Sequence, residues 1–274
     1  MIVERAPAKI NLALHVRRRR ADGYHELETL FAFLRDGDDI RVAPGPGRLH
    51  IDGPFAAGLD VDADNLVTRA VTIFAQSFVI ATEYAITLTK NLPIASGIGG
   101  GSADAAATLR ALARLNHIPL DHPMLFACAN ALGSDVPACL YGRSAMGTGR
   151  GEQLMPLDGL TDIPVLLVNP GVAVSTAAVF KAWDSVDRGP IGAGAILDRA
   201  RAGRNDLEPP ARALVPDIAA VLDRLDNTKP LLARMSGSGA TCFALYASAA
   251  DCSSAAAAVR HRHPEWWCLE STLA

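Results

Sequence analysis

A glycine-rich segment constrains this chain more than any other feature, because residues 97–102 read Gly-Ile-Gly-Gly-Gly-Ser. The segment follows an apolar alternation at 85–89, which predicts a β-strand, and precedes an alanine-rich stretch to about Asn116, which predicts an α-helix. Glycines let backbone N–H groups surround an anion, and the start of a helix adds partial positive charge. The segment therefore predicts a phosphate-binding loop at the start of a helix.

This loop does not fit two common nucleotide-binding motifs. A Walker A loop fails because Ser102 and Ala103 stand where its second glycine and its lysine belong. A GxGxxG dinucleotide fingerprint fails from Gly97 because of Ser102, and from Gly99 because of Asp104. Ser102 can cap the helix and offer a hydroxyl to a phosphate or a magnesium ion. A flexible glycine turn without a ligand remains the alternative at this point.

Strand and helix patterns are interleaved along the chain without strict alternation, which predicts the α+β class. Near the N-terminus the sequence alternates with period two, so the first strand has a polar face that carries Lys9 and Asn11. A continuous apolar run at 163–168 is typical of a strand covered on both faces. We place a boundary between 150 and 160 and predict two domains, at 1–155 and 156–274.

Further elements follow from turn residues and apolar periodicity. We predict separate strands at 27–34, 40–42 and 49–51, with a turn at Asp36–Asp39 between the first two. We also predict a helix after Asn65 to about Phe78, helices at 176–185, 192–202 and 216–226, and strands at 242–247 and 266–269. Pro137 is expected to stop a helix that ends near Leu132.

Composition excludes several classes of protein. Of 274 residues, 50% are hydrophobic and 20% are charged, which does not fit a disordered chain. The formal net charge of -3 does not favour nucleic-acid binding, and no apolar run is long enough for a membrane span. The charges of Glu4 and Arg5 do not fit a secretory signal, and the five cysteines lack metal-ligand spacing. We expect free thiols and a cytoplasmic protein with no nucleic-acid or membrane partner.

Several motifs occur in a defined order around the glycine loop. They are Pro-Ala-Lys-Ile-Asn-Leu at 7–12, the loop and helix start at 97–106, Gly-Ser-Asp-Val-Pro at 133–137 and Ser-Gly-Ser-Gly-Ala at 236–240. In this order they resemble the GHMP kinase superfamily, which includes galacto-, homoserine, mevalonate and phosphomevalonate kinases. Ala-Asp-Gly-Tyr-His-Glu-Leu at 21–27 and Asn-Asp-Leu-Glu at 205–208 narrow the resemblance to the branch that serves the non-mevalonate isoprenoid pathway.

The resemblance implies a two-domain GHMP kinase fold. Its N-terminal domain would be like domain 2 of ribosomal protein S5, and its C-terminal domain would be an α/β sandwich. The implied activity is ATP-dependent phosphorylation of the 2-hydroxyl of a cytidine diphosphate sugar alcohol, with ATP as co-substrate. Phosphoryl-transfer chemistry adds an expected Mg²⁺, for which Ser102 is the one candidate ligand. A monomer or weak homodimer is expected.

The resemblance also assigns roles to residues that match its motifs. Asp135 would be the catalytic aspartate and Lys9 its partner, while Asn11 and Thr176 would line the substrate pocket. The cytosine ring would lie between Tyr24 and Phe180, with His25 at its edge. Adenine would be held near Asn65 and Lys90. The full set of implied ATP-binding residues is Asn65, Lys90, Pro93, Gly97, Ile98, Gly99, Gly100, Gly101 and Ser102.

Alternatives remain open at the level of sequence. Asn65 could be only a helix N-cap, and Lys90 only a lysine at the end of a strand. Ala103 and Ala177 depart from residues that relatives often have. A homoserine- or mevalonate-type kinase would not need the groups at 22–25 that suit a nucleobase. A nucleotide-binding regulator without catalysis would not need both Lys9 and Asp135.

Overall fold

The computed structural model describes residues 1–59, 61 and 65–274. The chain divides into two compact units that are interleaved in sequence, so the predicted boundary near residue 155 stays a prediction. Two long strands, β1 (Ile2–Arg19) and β2 (His25–Pro44), contribute residues to both units. The first unit comprises Met1–Ala8, Asp36–Ile94 and Gly99–Gly142, and the second comprises Lys9–Arg35, Ala95–Ile98 and Arg143–Ala274.

The first unit is a small sheet with helices. Strand β4 (Tyr84–Thr89) pairs antiparallel with the end of β2 and parallel with β3 (Arg48–Asp52). Its helices are α1 (Leu66–Phe78), α2 (Gly100–Leu115), α3 (Pro123–Leu132) and α4 (Val136–Tyr141). Helix α2 packs against the other three helices, and its buried alanines, which have small side chains, permit this close approach.

The second unit contains strand pairs from two sheets. The start of β2 pairs antiparallel with β5 (Ala145–Gly149), which pairs with β6 (Gln153–Pro156). A four-stranded antiparallel sheet has the order β10–β7–β9–β8. These strands are β7 (Pro164–Asn169), β8 (Leu232–Met235), β9 (Cys242–Leu245) and β10 (Trp267–Thr272).

The described part of the second unit also contains five helices. They are α5 (Thr176–Ala182), α6 (Ile196–Ala202), α7 (Glu208–Leu214), α8 (Asp217–Asp226) and α9 (Ala249–Arg262). The apolar run predicted as a fully covered strand is β7, in which Val165–Val168 are completely buried. Apolar faces of α8 and α9, including Val221 and Val259, form one hydrophobic cluster with this sheet.

The turn predicted at Asp36–Asp39 is wrong, because β2 is continuous through these residues. A Cβ on Gly37 would lie 2.0 Å from the carbonyl oxygen of Ala6, so this glycine permits close backbone approach instead of a reversal. Asp38 is completely buried, and its Oδ1 accepts N–H groups from Asn91 and Leu92 at 2.6 and 2.8 Å. A buried aspartate with such partners cannot be distinguished from a turn aspartate by residue type.

Helix boundaries also differ from the predictions. Helix α2 begins at Gly100 with Gly99 at its N-cap, so Ser102 lies inside the first turn and does not cap the helix. Helix α3 ends at Leu132 as expected, but with Gly133 at its C-cap, and Pro137 lies in the first turn of α4, where its missing N–H is tolerated. Helices predicted at 176–185 and 192–202 are shorter than expected, and the predictions missed α4, α7, β5, β6 and β8. Asn65 is the N-cap of α1, as one alternative predicted, since its Oδ1 accepts the Val67 N–H at 2.9 Å.

Among the helices of the described residues, none is long and apolar enough to cross a membrane.

The five cysteines all lie within the described residues, and no disulfide joins them. Cys128, Cys139, Cys242 and Cys252 are buried, whereas Cys268 is partly exposed. Burial raises the pKa of the Cys242 thiol well above its usual value and that of Cys252 to about 11. Thiolate is the reactive form, so these two residues are expected to be inert in the folded protein.

We therefore expect freshly purified protein, without reductant, to show five reactive thiols in denaturant. In the native state Cys268 should react first, because it is the most accessible thiol. Titration with a chromogenic disulfide measures both states, and prior reduction serves as the control. A reductant-dependent rise in the denatured count would contradict the prediction.

Candidate functional site

The polar face of β1 carries two buried side chains that contact each other, as period two predicted. Lys9 Nζ donates to Asn11 Oδ1 at 3.0 Å, and the two residues are 3% and 2% exposed. Asn11 Nδ2 donates to Thr29 Oγ1 at 2.8 Å, which fixes the orientation of the amide. The Lys9 ammonium also lies 5.6 Å from the centroid of the Phe31 ring. A buried cation and a fixed amide therefore lie side by side on one strand.

The Ser-Gly-Ser-Gly turn at 236–239 contacts both Asn11 and the first glycine of the loop. The Ser236 hydroxyl donates to the Gly97 carbonyl at 3.0 Å and accepts the Asn11 backbone N–H at 3.3 Å. Gly97 has a φ of +79°, and a Cβ there would lie 2.6 Å from the carbonyl oxygens of Ser236 and Gly239. Only glycine satisfies both requirements, so this turn fixes the start of the glycine loop.

The Asn-Asp-Leu-Glu motif holds that same turn. Asn205 Nδ2 donates to the carbonyls of Met235 and Gly237, each at 2.8 Å. Asp206 is buried and accepts the Val16 backbone N–H at 2.8 Å, which attaches the motif to β1. The sequence singled out this motif without assigning it a role. Its contacts show that it orients the Ser-Gly-Ser-Gly turn against the strand that carries Lys9 and Asn11.

Four aromatic rings and one arginine form two groups of side chains in the second unit. His25 and Phe180 are stacked, with centroids 4.7 Å apart and planes 27° apart, and Trp183 meets His25 edge-on at 5.7 Å. The Arg150 guanidinium lies over the Tyr24 ring at 4.8 Å. The structure thus brings His25 and Phe180 together, while Tyr24 makes its ring contact with Arg150 among the described residues. The sandwich of cytosine between Tyr24 and Phe180 stays a prediction.

His25 has a lowered pKa because burial disfavours its charged form and Arg19 repels it. The imidazole is therefore neutral at neutral pH, with one ring nitrogen as donor and the other as acceptor. That combination suits the edge of a base, which presents both donors and acceptors. Sequence reasoning missed Trp183 and Arg150, because neither lies in a recognisable motif.

Helix α5 connects the aromatic group to the Ser-Gly-Ser-Gly turn. Ser175 caps the helix by accepting the Ala178 N–H at 3.3 Å. The hydroxyls of Thr176 and Ser238 are 2.8 Å apart, and Phe180 lies one helical turn after Thr176 on the same face. One helix face therefore presents a hydroxyl beside the turn and a ring beside His25.

The glycine loop ends at the first turn of α2 in the first unit. Gly99 occupies the N-cap with a φ of +69°, and the Ala103 N–H is the first to bond back, to the Gly99 carbonyl at 2.8 Å. The N–H groups of Gly100, Gly101 and Ser102 therefore have no intrahelical acceptor. Such N–H groups and the helix dipole favour a bound anion, which matches the predicted phosphate loop.

Behind this loop, Lys90 is enclosed by two buried carboxylates. Its Nζ donates to Asp104 Oδ2 at 2.7 Å and to Asp38 Oδ2. Burial raises the pKa of Asp104 to about 7, an effect that the Lys90 ammonium opposes and Asp38 reinforces. Burial acts to lower the pKa of Lys90, but the two carboxylates outweigh it and raise that pKa overall. Its predicted contact with adenine stays a prediction.

Asp135 lies directly before α4, at its N-cap position. Val136, Pro137 and Ala138 of this short helix are buried, and α4 packs against α2 and α3. The backbone that carries Asp135 is therefore held by core packing. Asp135 belongs to the first unit and Lys9 to the second, so their catalytic pairing stays a prediction.

Two family models match the chain. The GHMP kinases N terminal domain matches residues 65–143, and the GHMP kinases C terminal model matches residues 191–265. The chain belongs to the GHMP kinases and is an ATP-dependent small-molecule kinase, as its motifs predicted. A solved homoserine kinase of Cytophaga hutchinsonii has a TM-score of 0.72 over 99% of this chain and 94% of its own, but at 18% identity it shows the fold alone.

Closer relatives define the branch. A 4-diphosphocytidyl-2-C-methyl-D-erythritol kinase of Rhizorhabdus wittichii is 54% identical over 98% of this chain and 94% of its own length. A crystal structure of 4-(cytidine 5'-diphospho)-2C-methyl-D-erythritol kinase is 38% identical with a TM-score of 0.83, covering 100% of this chain and 99% of the other. Within the GHMP kinases, the chain therefore belongs to the 4-diphosphocytidyl-2-C-methyl-D-erythritol kinases.

The loop geometry leads to a prediction for Gly100→Val. A Cβ at Gly100 would be 3.1 Å from Lys90 Nζ and 3.8 Å from Asp38 Oδ2, so a valine would displace either the Lys90 ammonium or the Gly100 backbone, whose N–H is available to phosphate. We expect the KM for ATP to rise by about 10-fold or more while the protein still folds. Steady-state kinetics and circular dichroism measure the two effects. Gly192→Val is the matched control, because a Cβ at Gly192 meets nothing within 4 Å; equal KM values in both variants would favour a loop without a ligand.

Proposed function

We propose that this chain transfers the γ-phosphoryl group of ATP to the 2-hydroxyl of 4-diphosphocytidyl-2-C-methyl-D-erythritol. The observation that carries the proposal is the buried hydrogen-bonded series Lys9–Asn11–Ser236–Gly97, which joins a cation and an amide to the first glycine of the loop. Membership in this kinase branch supports the choice of substrate.

In the proposed mechanism, Asp135 orients the acceptor hydroxyl and accepts its proton as the phosphoryl group moves. A sugar hydroxyl is a poor nucleophile, so a carboxylate within hydrogen-bond reach assists it. The Lys9 ammonium would stabilise negative charge during transfer, and Asn11 would hold substrate hydroxyls. Lys9 is already oriented by Asn11, so little reorganisation is needed at the moment of reaction.

The ATP phosphates would be held by the N–H groups of Gly100, Gly101 and Ser102. The described residues contain no group of three or more His, Cys, Asp or Glu side chains that could hold a metal ion. Mg²⁺ would enter with ATP, with the Ser102 hydroxyl as the candidate protein ligand and phosphate oxygens as its other ligands. The ion would offset phosphate charge during transfer.

The cytosine would be recognised by the aromatic group of the second unit. Phe180 offers a ring face, His25 offers both a donor and an acceptor, and Tyr24 with Arg150 offers a second face. Binding energy at the base would help to place the distant hydroxyl, so losses there can lower kcat as well as raise KM.

We also propose that the enzyme works in the cytoplasm, a reducing compartment in which its five cysteines would remain thiols.

A transfer assay tests the proposal directly. Purified protein is incubated with ATP, Mg²⁺ and 4-diphosphocytidyl-2-C-methyl-D-erythritol, and phosphorus NMR identifies the modified hydroxyl. Homoserine and mevalonate are the comparison substrates. The proposal predicts a new phosphate on the 2-hydroxyl and at most slow transfer to the comparison substrates; transfer at another position, or none, would refute it.

Asp135→Asn keeps the size of the side chain and removes the base. We expect kcat to fall by about 100-fold or more, the scale of a lost general base, while ATP binding stays nearly intact. Steady-state kinetics and a nucleotide-binding titration measure both quantities. Asp121→Asn, at an exposed aspartate before α3, is the matched control. A wild-type kcat in Asp135→Asn would reject the assignment.

Phe180→Ala removes the ring that stacks on His25. We expect kcat/KM for the cytidine substrate to fall by about 5- to 150-fold, which corresponds to roughly 1–3 kcal/mol of base stacking. The KM for ATP should change little. CDP should compete with the substrate for the wild-type enzyme, and uridine analogues should compete more weakly.

The control is Phe78→Ala, which removes a partly buried ring from α1 of the first unit. It should lower stability without weakening competition by CDP. If CDP does not compete with substrate, or if Phe180→Ala behaves as wild type, the base-binding residues have been assigned incorrectly.

A further inference from the structure

A buried cluster of three charged side chains lies in the first unit. Asp38 comes from β2, Lys90 follows directly after β4, and Asp104 is in the second turn of α2. Their exposed fractions are 0%, 3% and 3%. The Lys90 ammonium donates to both carboxylates, so one cation joins the sheet to the helix that begins at the phosphate loop. Removing one member of such a buried set leaves a charge without compensation.

The ammonium lies directly against the first residue of α2. A Cβ added to Gly100 would be 3.1 Å from Lys90 Nζ and 3.8 Å from Asp38 Oδ2. Gly100 does not have a positive φ, so a side chain there would be opposed by the space that the cluster occupies and not by backbone conformation. Gly100, whose N–H is available to phosphate, therefore lies directly against the Lys90 ammonium.

The two carboxylates are satisfied to different degrees. Asp38 also accepts the N–H groups of Asn91 and Leu92, whereas Asp104 Oδ1 has no hydrogen-bond partner within the described residues. Asp38 thus fixes the backbone that leads from β4 toward the loop, while Asp104 fixes α2 through a single oxygen. With both carboxylates ionised the cluster has an excess negative charge beside a polyanion site, so Asp104 opposes the field of Lys90 there.

We propose that Asp38, Lys90 and Asp104 position the phosphate loop, and that the Lys90 ammonium strengthens phosphate binding from behind Gly100 without contacting adenine. Lys90 is then a positioning residue that acts through the loop backbone and through its charge. This inference rests on the proposed use of ATP and deepens the role of the loop. It assigns Lys90 a different function from the adenine contact implied by the resemblance.

The two roles of Lys90 differ in which ligands they affect. If Lys90 contacted adenine, it would strengthen the binding of adenosine, ADP and ATP equally and would help the enzyme to prefer ATP over GTP. If the Lys90 charge acted through the phosphate loop, it would strengthen the binding of ATP more than that of ADP, and that of adenosine least. A purely structural cluster would affect folding stability, and ligand binding would recover whenever stability recovers.

Four variants of the full chain test the proposal. Lys90→Met removes the charge and keeps a similar length. The double variant Lys90→Met/Asp104→Asn also removes one of the two carboxylates that the first change leaves without a cation. Asp104→Asn keeps the Lys90–Asp38 pair. Lys229→Met, at an exposed lysine after α8, is the matched control. Titrations measure Kd for ATP, ADP and adenosine, kinetics give KM and kcat with ATP and GTP, and thermal unfolding gives Tm.

We expect Lys90→Met to raise Kd and KM for ATP by about 10-fold or more, with a smaller rise for ADP and little change for adenosine, kcat or the ATP-to-GTP preference. The double variant should recover Tm but not ATP affinity, so it decides the question if Lys90→Met does not fold. Asp104→Asn should bind ATP as tightly as wild type or more tightly, because the asparagine oxygen can still accept from Lys90 while the opposing negative charge is removed.

Three results would overturn the proposal. They are recovery of ATP affinity together with Tm in the double variant, an equal loss for adenosine and ATP with relaxed base preference, and weaker ATP binding in folded Asp104→Asn. Wild-type transfer activity is measured in the same series. An active wild type with unaffected variants refutes only this inference, whereas an inactive wild type refutes the proposed function.

Discussion

The close approach of Gly97 to the Ser-Gly-Ser-Gly turn is the contact on which the second unit's polar site depends. A side chain at Gly97 would collide with two carbonyl oxygens, and the Ser236 hydroxyl bridges the Gly97 carbonyl and the Asn11 N–H. Asn11 in turn holds Lys9, and Asn205 holds the turn from the other side. Because Gly97 has no Cβ, the turn can lie close enough to hold the start of the loop, the Asn11 amide and the Lys9 ammonium in position.

Much of this site could be predicted from sequence because it depends on local periodicity and on glycine. Period two places Lys9 and Asn11 on one strand face, and the structure confirms their contact. The loop and the helix after it likewise follow from residues that are adjacent in the chain. The family and the kinase activity followed from the order of several short motifs, each of which is weak when considered alone.

Contacts between distant residues could not be predicted in the same way. Asp38 was interpreted as part of a turn because aspartate and glycine favour turns, yet it is buried beside Lys90, 52 residues away in sequence. Arg150 and Trp183 contact the predicted base-binding residues, but nothing around them in sequence distinguishes them from other arginines and core aromatics. Tertiary pairing of this kind overrides local preference, and only the folded chain shows it.

Lysine is rare in this chain, but two of its lysines are buried at the sites described above. Arginine supplies most of the 26 basic residues, yet the cations at Lys9 and Lys90 are buried lysines. An ammonium is a compact charge that fits between Asp38, Asp104 and Gly100, where a planar guanidinium would need more space. The buried Arg234 shows the converse, since its fork donates to carbonyls of Leu12, Ala200 and Gly203. At both Lys90 and Arg234, the shape of the cation therefore matches the arrangement of its acceptors.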